Sequence, residues 1–202
     1  GLNILVDTSP DLRQQLLGNG IATVDAVLWT HDHADHCHGI DDLRPIRQMR
    51  NAPVPGYASS QTVQRLRQRF SYVFSGNRGY PTIATLDTLD HLLILCGVGS
   101  SSCEMPHGPM FSTGYRFEQG GKSICYATDF GEITSEMVQL FTDCDLLVVD
   151  ALRREPHPTH ASLAMALRLI DQTGCRRAIL THLDKTMDYA SLCAELPPHV
   201  QP

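Results

Sequence analysis

With 202 residues, of which 42% are hydrophobic and 19% are charged, the chain has the composition of an ordinary globular protein and is long enough to bury a substantial core. Its formal net charge of −6 weighs against long nucleic acid as a partner, because a polyanion would have to be bound through a local patch against the overall field. The absence of an apolar run of about 18 residues excludes an obvious membrane-spanning helix.

Short aliphatic or β-branched runs alternate with helical patterns along the sequence, without repeats or a linker between two cores. This alternation predicts an α/β fold in a single domain, residues 1–202. Strands are predicted at residues 3–6, 26–29, 92–95, 114–118, 123–127, 146–149 and 178–180. Helices are predicted at residues 12–17, 62–70, 136–141, 162–173 and 189–195. The helix at 162–173 has the clearest pattern, because apolar residues repeat at helical spacing and Gly174 follows as a stop signal.

Several predicted strands end directly in polar residues. Asp7 follows the first strand, His31 comes shortly after the second, and Asp129 and His182 stand in the same way after later strands. A rigid sheet holds such residues while their side chains reach an open edge, where binding sites are commonly built. These four positions are therefore candidates for a metal site.

The seven cysteines are odd in number and scattered, and none forms a Cys-x-x-Cys pair. They indicate neither a disulfide framework nor a structural zinc clip. The first residues also lack the basic and apolar stretches of a secretion signal. We therefore expect a cytoplasmic protein in a reducing compartment, without membrane association.

The stretch THDHADH follows the second predicted strand and concentrates imidazoles and carboxylates. Because side chains alternate along an extended backbone, His31 and His33 can face the same side and bind one ion together. After the chain turns, Asp35 and His36 can face a second ion, while Asp32 points away. A solvated polar loop is the alternative, and it leaves the demanding His-x-His-x-Asp-His spacing unexplained.

This spacing resembles the signature of the metallo-β-lactamase superfamily, and the resemblance extends over nearly the whole chain. It implies an αββα sandwich, with two packed mixed β-sheets and outer helices, around two divalent metal ions. Mixed imidazole and carboxylate ligands suit zinc (Zn2+) best and also tolerate manganese (Mn2+) or iron (Fe2+). The resemblance further implies a third histidine ligand, for which His107 fits and His91 is the rival, a bridging Asp129, and a last ligand at His182. The implied ligand set is His31, His33 and His107 for one ion, Asp35, His36 and His182 for the other, and Asp129 between them.

Two more expectations come from the same resemblance. Asp7 matches a position where the superfamily has an aspartate that supports the ligand loop through hydrogen bonds; a turn-forming aspartate is the alternative. Relatives usually have another strand before the position of Gly1 and a short strand after that of Pro202. We therefore expect segments to be missing at both ends.

The ligand types favour a hydrolase that uses a metal-bridging hydroxide, since two neighbouring ions lower the pKa of a shared water. The exported β-lactamase branch has a cysteine at the place of Asp129, which argues against an antibiotic hydrolase. Glyoxalase II-like thioester hydrolases use the same ligands and stay as an alternative, although the stretch after His182 is short for their helical region. A non-catalytic metal-binding scaffold is a further alternative, but such proteins usually lose ligands.

The motif PTHAS at residues 158–162 resembles a helix start in the phosphodiesterase branch of the superfamily. That branch includes Z-type tRNA 3′-end-processing endonucleases and the phosphoribosyl cyclic phosphodiesterase of the carbon-phosphorus lyase pathway. The resemblance implies that His160 contacts the phosphate or the leaving group, and His160 and Asp35 are the predicted catalytic residues. No tRNA-gripping arm is visible, which favours a small or cyclic phosphodiester as substrate. A homodimer is left open.

One basic and aromatic cluster, RLRQRFSY at residues 65–72, is of note. It is either the solvated face of a helix or a contact with the edge of the substrate. His38, in the stretch CHGIDDLR that continues the ligand motif, is likewise either a substrate contact or a local structural residue.

Overall fold

The computed structural model describes residues 1–76, 79–89, 92–95 and 97–202, and it divides into two units, Gly1–Asp90 and His91–Pro202. Cys96 and the rival ligand His91 lie outside the described residues. Among the described helices, none combines the length and the apolar character needed to cross a membrane. The single domain over residues 1–202 stays a prediction.

The first unit contains a parallel β-sheet whose connections are helical. Its strands pair in chain order, each parallel to the next, and parallel neighbours need such crossover connections. The strands are β1 (Ile4–Val6), β2 (Ala26–Trp29), β3 (Gly56–Ala58) and β4 (Asp87–Thr88). The helices are α1 (Leu12–Gly18), α2 (Ala34–Cys37), α3 (Leu43–Arg50), α4 (Ser60–Arg69) and α5 (Ser71–Ser75), with a 3-10 turn at Ile40–Asp42.

Strand β2 is the buried centre of the first unit. All four of its residues are buried, as expected for a strand with neighbours on both sides and helices over it. The Trp29 ring packs edge-on against Phe74 at 6.0 Å, and its Nε1 donates a hydrogen bond to Thr8 Oγ1 at 3.0 Å. The ligand motif that follows β2 therefore leaves from a rigid strand.

The second unit contains a seven-stranded sheet. Its strands are β5 (Leu92–Leu95), β6 (Val98–His107), β7 (Met110–Gln119), β8 (Lys122–Ala127), β9 (Leu146–Asp150), β10 (Ala178–Thr181) and β11 (Val200–Gln201). β5 to β8 pair as antiparallel neighbours, and β8 to β11 pair in parallel. The helices are α6 (Ser135–Phe141), α7 (Leu163–Thr173) and α8 (Tyr189–Glu195). The predicted α/β class is thus confirmed, and the second sheet is the mixed one.

Helix α7 shows how the sequence places the residues before it. The Ser162 side chain accepts a hydrogen bond from Met165 N, and Gly174 ends the helix in the left-handed conformation at φ 61°, as such caps commonly do. The apolar face, including Ala166 and Ile170, is buried. His160 therefore lies two residues before the N-cap of a well-anchored helix.

Candidate metal centre

The first group of candidate metal-binding side chains lies in the first unit, on the turn between β2 and α2. His31 and His33 offer ring nitrogens within 4.8 Å of each other, and Asp35 and His36 offer a second pair within the same distance. The ring centre of His31 lies 4.6 Å from that of His33 and 4.3 Å from that of His36. Helix α2 begins at Ala34, so the chain turns after His33 as expected. His31 and His36 are buried, whereas His33 and Asp35 are exposed.

The carboxylate of Asp7 supports this turn through hydrogen bonds. It accepts hydrogen bonds from Thr30 N (2.7 Å), Thr30 Oγ1 (2.8 Å) and His36 Nδ1 (2.7 Å). Burial raises the pKa of Asp7, and the bonds from His36 and Thr30 act in the opposite direction. Since Thr30 gives its proton to Asp7, its oxygen can accept from His31 Nδ1 at 3.0 Å. Both histidines then keep Nε2 as the lone-pair atom that can bind a metal.

Replacing Asp7 is expected to weaken both metal binding and folding. Asp7→Ala leaves the buried Thr30 N–H without its acceptor, which costs about 1–3 kcal/mol, and loss of a residue that orients a ligand typically weakens metal affinity about 10–100-fold. Asp7→Asn should lie between, because asparagine keeps one acceptor and tolerates the positive φ of 61°. Denaturant unfolding and zinc competition measure the two effects. The exposed Asp11→Ala is the control, and an unchanged zinc affinity in Asp7→Ala would contradict the supporting role.

The second group of candidate metal-binding side chains lies in the second unit, at the ends of β6, β8 and β10. Asp129 Oδ2 lies 3.6 Å from His107 Nε2, and Asp129 Oδ1 lies 3.6 Å from His182 Nε2. Two ligands bound tetrahedrally to one zinc ion at their usual bond lengths are separated by about 3.4 Å. Each oxygen of the Asp129 carboxylate thus faces one imidazole. Each oxygen–nitrogen distance is close to that between two ligands of one zinc ion, so the carboxylate could share one ion with His107 and another with His182. This donor set fits a divalent metal.

Hydrogen bonds fix these side chains in place. His107 Nδ1 lies 2.7 Å from Thr159 O, and because a carbonyl only accepts, Nδ1 carries the proton and Nε2 is available to a metal. Thr128 Oγ1 donates to Asp129 Oδ1 at 2.6 Å, and Ser112 Oγ donates to Asp129 O at 2.8 Å. Asp129 and His182 both adopt positive φ, 58° and 61°. The orientation of the donors is therefore built into the fold.

Two glycines allow the loop before α7 to lie against these residues. A Cβ at Gly108 would stand 2.6 Å from Thr159 Cγ2, and a Cβ at Gly131 would stand 2.8 Å from Pro158 O. At Gly131 a side chain would require the backbone to move, whereas at Gly108 it would displace the Thr159 side chain and would also have to adopt a φ of 61°. Glycine at both positions thus brings the PTHAS motif next to His107 and Asp129.

His160 lies among the donors of the second unit. Its ring centre is 4.9 Å from those of both His107 and His182, and it stacks on the latter with an interplanar angle of 20°. Its Nδ1 lies 3.7 Å from Asp129 Oδ2. The predicted catalytic histidine therefore sits beside the predicted ligands of its own unit.

Asp150, the last residue of β9, is a functional candidate that the sequence reasoning missed. It is fully buried, and its Oδ2 accepts hydrogen bonds from His160 Nδ1 at 3.3 Å and from Ala161 N at 3.2 Å. Its Oδ1 has no hydrogen-bond partner among the described residues. The signal was present, because Asp150 directly follows the predicted strand at residues 146–149, as Asp7 follows the predicted strand at residues 3–6.

Two arginines of the basic cluster at residues 65–72 form ion pairs within the first unit. Arg65 and Arg69 pair with the carboxylate of Asp32, each at 3.1 Å, and Arg69 Nη2 donates to His38 Nε2 at 2.8 Å. The side chain of Asp32 thus points away from the imidazoles of His31 and His33, as expected. The two arginines bind the ligand turn itself, which is neither of the roles considered from the sequence, and His38 makes a structural contact.

Cys37 lies next to His36 but is a poor candidate ligand. Burial raises the pKa of its thiol to about 11, so the protonated form prevails near neutrality. Its Sγ donates to Asp32 O at 3.3 Å. The thiol therefore stabilises the turn.

The comparison with known proteins decides the family. Residues 2–183 match the family described as the β-lactamase superfamily domain. The chain belongs to this superfamily. Its metallo-β-lactamase fold is thus confirmed, and its histidine and aspartate groups could hold a metal ion.

Three individual proteins are similar to this chain over nearly its whole length. The chain is 32% identical to a diphosphatase described as a new member of the PhnP family, covering 98% of this chain and 75% of that one with a TM-score of 0.87. It is 18% identical to the short form of human tRNase Z, covering 98% of this chain and 84% of that one with a TM-score of 0.69, which shows the fold alone. The first of these two neighbours confirms the resemblance to the phosphodiesterase branch.

The third relative, from Porphyromonas gingivalis (strain ATCC BAA-308 / W83), is named octanoyltransferase. It is 35% identical over 99% of this chain, and the chain spans only 40% of its length. That name therefore describes a protein more than twice as long as the region shared with this superfamily member.

Proposed function

We propose that this superfamily hydrolase binds two divalent ions, zinc in the first place, and cleaves small or cyclic phosphodiesters. One ion would be held by His31, His33 and His107, the other by Asp35, His36 and His182, with Asp129 bridging them. The observation that carries the proposal is Asp129, whose oxygens face two different imidazoles at 3.6 Å each. Carboxylates placed in this way are suited to bridging two metals.

When bound, the ions would supply an activated water at neutral pH and polarise the phosphoryl group. The residues of the chain orient and move protons. Asp7 and the carbonyl of Thr159 fix the imidazole tautomers. Asp35, which is exposed on the turn and has its Oδ2 3.3 Å from His36 Nε2, would be the second catalytic residue and would accept a proton of the attacking water at the carboxylate oxygen that does not bind the ion. His160 would act at the leaving group.

Phosphoryl chemistry is favoured by two observations. The relative at 32% identity is a diphosphatase, an enzyme that breaks a phosphorus–oxygen bond. The PTHAS motif sets His160 beside Asp129 and His182, where a hydrogen-bond donor would face a phosphate held at the metals. Both features support cleavage of a phosphate ester or anhydride over other hydrolytic reactions.

Thioester hydrolysis is the second candidate. It is favoured by the octanoyltransferase of Porphyromonas gingivalis, because acyl transfer and thioester hydrolysis attack the same kind of carbonyl carbon. The same ligand types also serve thioesterases, so the donor set alone does not separate the two reactions. Measured turnover of the two kinds of substrate distinguishes the two reactions.

A panel of substrates on one preparation tests the proposal. We expect metal-dependent cleavage of bis-p-nitrophenyl phosphate and of a cyclic ribose phosphate, and much slower turnover of S-lactoylglutathione and an octanoyl thioester. A chelator should abolish nearly all activity, and added zinc should restore it, because the attacking water depends on the ions. Atomic emission counts the metal per chain.

Each other outcome has a distinct meaning. Rapid turnover of either thioester without phosphodiester cleavage would replace the proposed reaction by the second candidate. Full metal occupancy without turnover of any substrate would favour a metal-binding scaffold that does not catalyse.

A further inference from the structure

The side chain between the first two metal-binding histidines is clamped by helix α4. Asp32 stands between His31 and His33, and its side chain is only 12% exposed. Arg65 Nη1 donates to Asp32 Oδ1 at 3.1 Å, and Arg69 Nη1 donates to Asp32 Oδ2 at 3.1 Å and also to the backbone oxygen of Asp32. Every oxygen of this one residue is therefore bound by a guanidinium group.

The clamp is itself well anchored. Arg65 and Arg69 are four residues apart on α4, so their side chains lie on one face of the helix. At the start of the helix, the Ser59 side chain accepts a hydrogen bond from Thr62 N. The guanidinium of Arg69 also donates to His38 Nε2 at 2.8 Å and lies 5.3 Å from the centre of the Phe70 ring. Arg69 thus joins α4 to Asp32 within the ligand turn and to His38 after it.

We propose that Arg65 and Arg69 are positioning residues, which hold the His31–His33 pair in metal-binding geometry through Asp32. This inference rests on the proposed role of the two histidines as ligands. The physical reason is preorganisation: a fixed backbone at Asp32 fixes the directions of its two neighbours. Without the two arginines, the turn would have to become ordered when the metal binds. The free-energy cost of that ordering would lower the metal affinity.

Arginine is suited to this task for a reason that lysine does not share. Its planar group offers several donors in a fixed fork, and Arg69 uses them on the carboxylate, the backbone oxygen and His38. A lysine would keep the charge but could not span these acceptors together. Charge and geometry can therefore be separated by experiment.

The test compares metal binding in Arg65→Ala, Arg69→Ala and the double variant with wild type. A chromophoric chelator competing for zinc gives affinity, and the d–d spectrum of added cobalt(II) reports ligand geometry. We expect zinc affinity to fall about 10–100-fold in Arg69→Ala, less in Arg65→Ala, and the cobalt spectrum to change. Arg69→Lys should restore little of the loss.

A matched control is available on the same helix. Arg67→Ala removes the same charge and the same side chain, but Arg67 donates to Leu86 O at 2.6 Å and not to Asp32. It should keep the zinc affinity and cobalt spectrum of wild type. Asp32→Asn should weaken binding as well, and combining it with Arg69→Ala should add little, because both changes break the same contact.

Unfolding of each metal-free variant in denaturant separates positioning from general stability. Arg69→Ala and Arg67→Ala at equal stability but different zinc affinity would support the inference. Wild-type affinity and cobalt spectrum in the double variant would overturn it while leaving the proposed function untouched. A wild-type protein that binds neither metal would refute the proposed function, and the inference with it. Should Arg69→Ala not fold, Arg69→Lys and Arg65→Ala decide by the same measurements.

Discussion

Asp129→Ala is expected to lose one metal ion and nearly all hydrolytic activity. Its two oxygens face His107 Nε2 and His182 Nε2 at 3.6 Å each, so one substitution removes a ligand from both proposed sites. Charge stabilisation by a metal is worth several kcal/mol in the transition state, and about 4 kcal/mol corresponds to about 10³-fold in rate. We therefore expect turnover to fall by about 10³-fold or more.

The fold should survive this change at lower stability. Alanine at the φ of 58° is strained by about 1–2 kcal/mol, and Thr128 Oγ1 loses its acceptor. Asp129→Asn avoids most of this strain, because asparagine tolerates the left-handed region, yet it lacks the negative charge that a bridge needs. Circular dichroism and thermal unfolding check the fold of both variants.

Atomic emission after dialysis against zinc-free buffer measures the bound metal. Glu132→Ala, which removes an exposed acid three residues further along the chain, should keep the metal content and activity of wild type. A variant at Asp129 that retains two ions per chain at full occupancy would refute its assignment as the bridge.

The sequence predicted best those features that depend on local order. The ligand motif was readable because its spacing is itself the signal, and the residues at strand ends were readable because an apolar run stops at a polar side chain. His31 after β2 and His182 after β10 stand where this rule places them. Strands β2 and β5 and helix α8 agree with their predicted bounds to the residue.

Elements with a weak or misleading local pattern were missed, such as strand β6 and helix α3. Strand β6 has a polar composition, with a run of serines, and it is extended because each of its residues from Gly99 to His107 pairs with β7. Helix α3 was missed because Pro45 suggests an interruption. Proline is tolerated there, since it lies in the first turn, where its missing N–H would have no partner within the helix.

Contacts across the fold account for the rest of the candidate site. Asp32 and Arg69 are separated by 37 positions in sequence, and nothing in either local pattern announces that they pair. Asp150 and His160 are separated by 10 positions, and the pair forms because β9 ends where the loop before α7 passes. Residue types indicated the chemistry, whereas pairings of this kind needed the fold.

His160→Ala is expected to slow cleavage of alkyl phosphodiesters strongly and of nitrophenyl esters much less. An alkoxide is a poor leaving group unless it receives a proton, and imidazole can carry a proton near neutral pH. Because His160 Nδ1 contacts Asp150 Oδ2 at 3.3 Å, we propose that Nε2 is the nitrogen that donates to the leaving group. A positioned acid contributes about 10²–10⁴-fold in rate, whereas nitrophenolate leaves without one. Asp150→Asn should show the same selectivity to a smaller degree.

The measurement is a comparison of kcat for two phosphodiesters that differ only in the leaving group, one an alkyl ester and the other a nitrophenyl ester, at equal metal content. His157→Ala is a matched control, because its ring centre lies 5.0 Å from that of His160 and it is neither a proposed ligand nor a proposed acid. It should leave the ratio of the two rates unchanged. Equal losses for both esters in His160→Ala would show that His160 binds the phosphate without protonating the leaving group. No loss for either ester would remove it from the catalytic site.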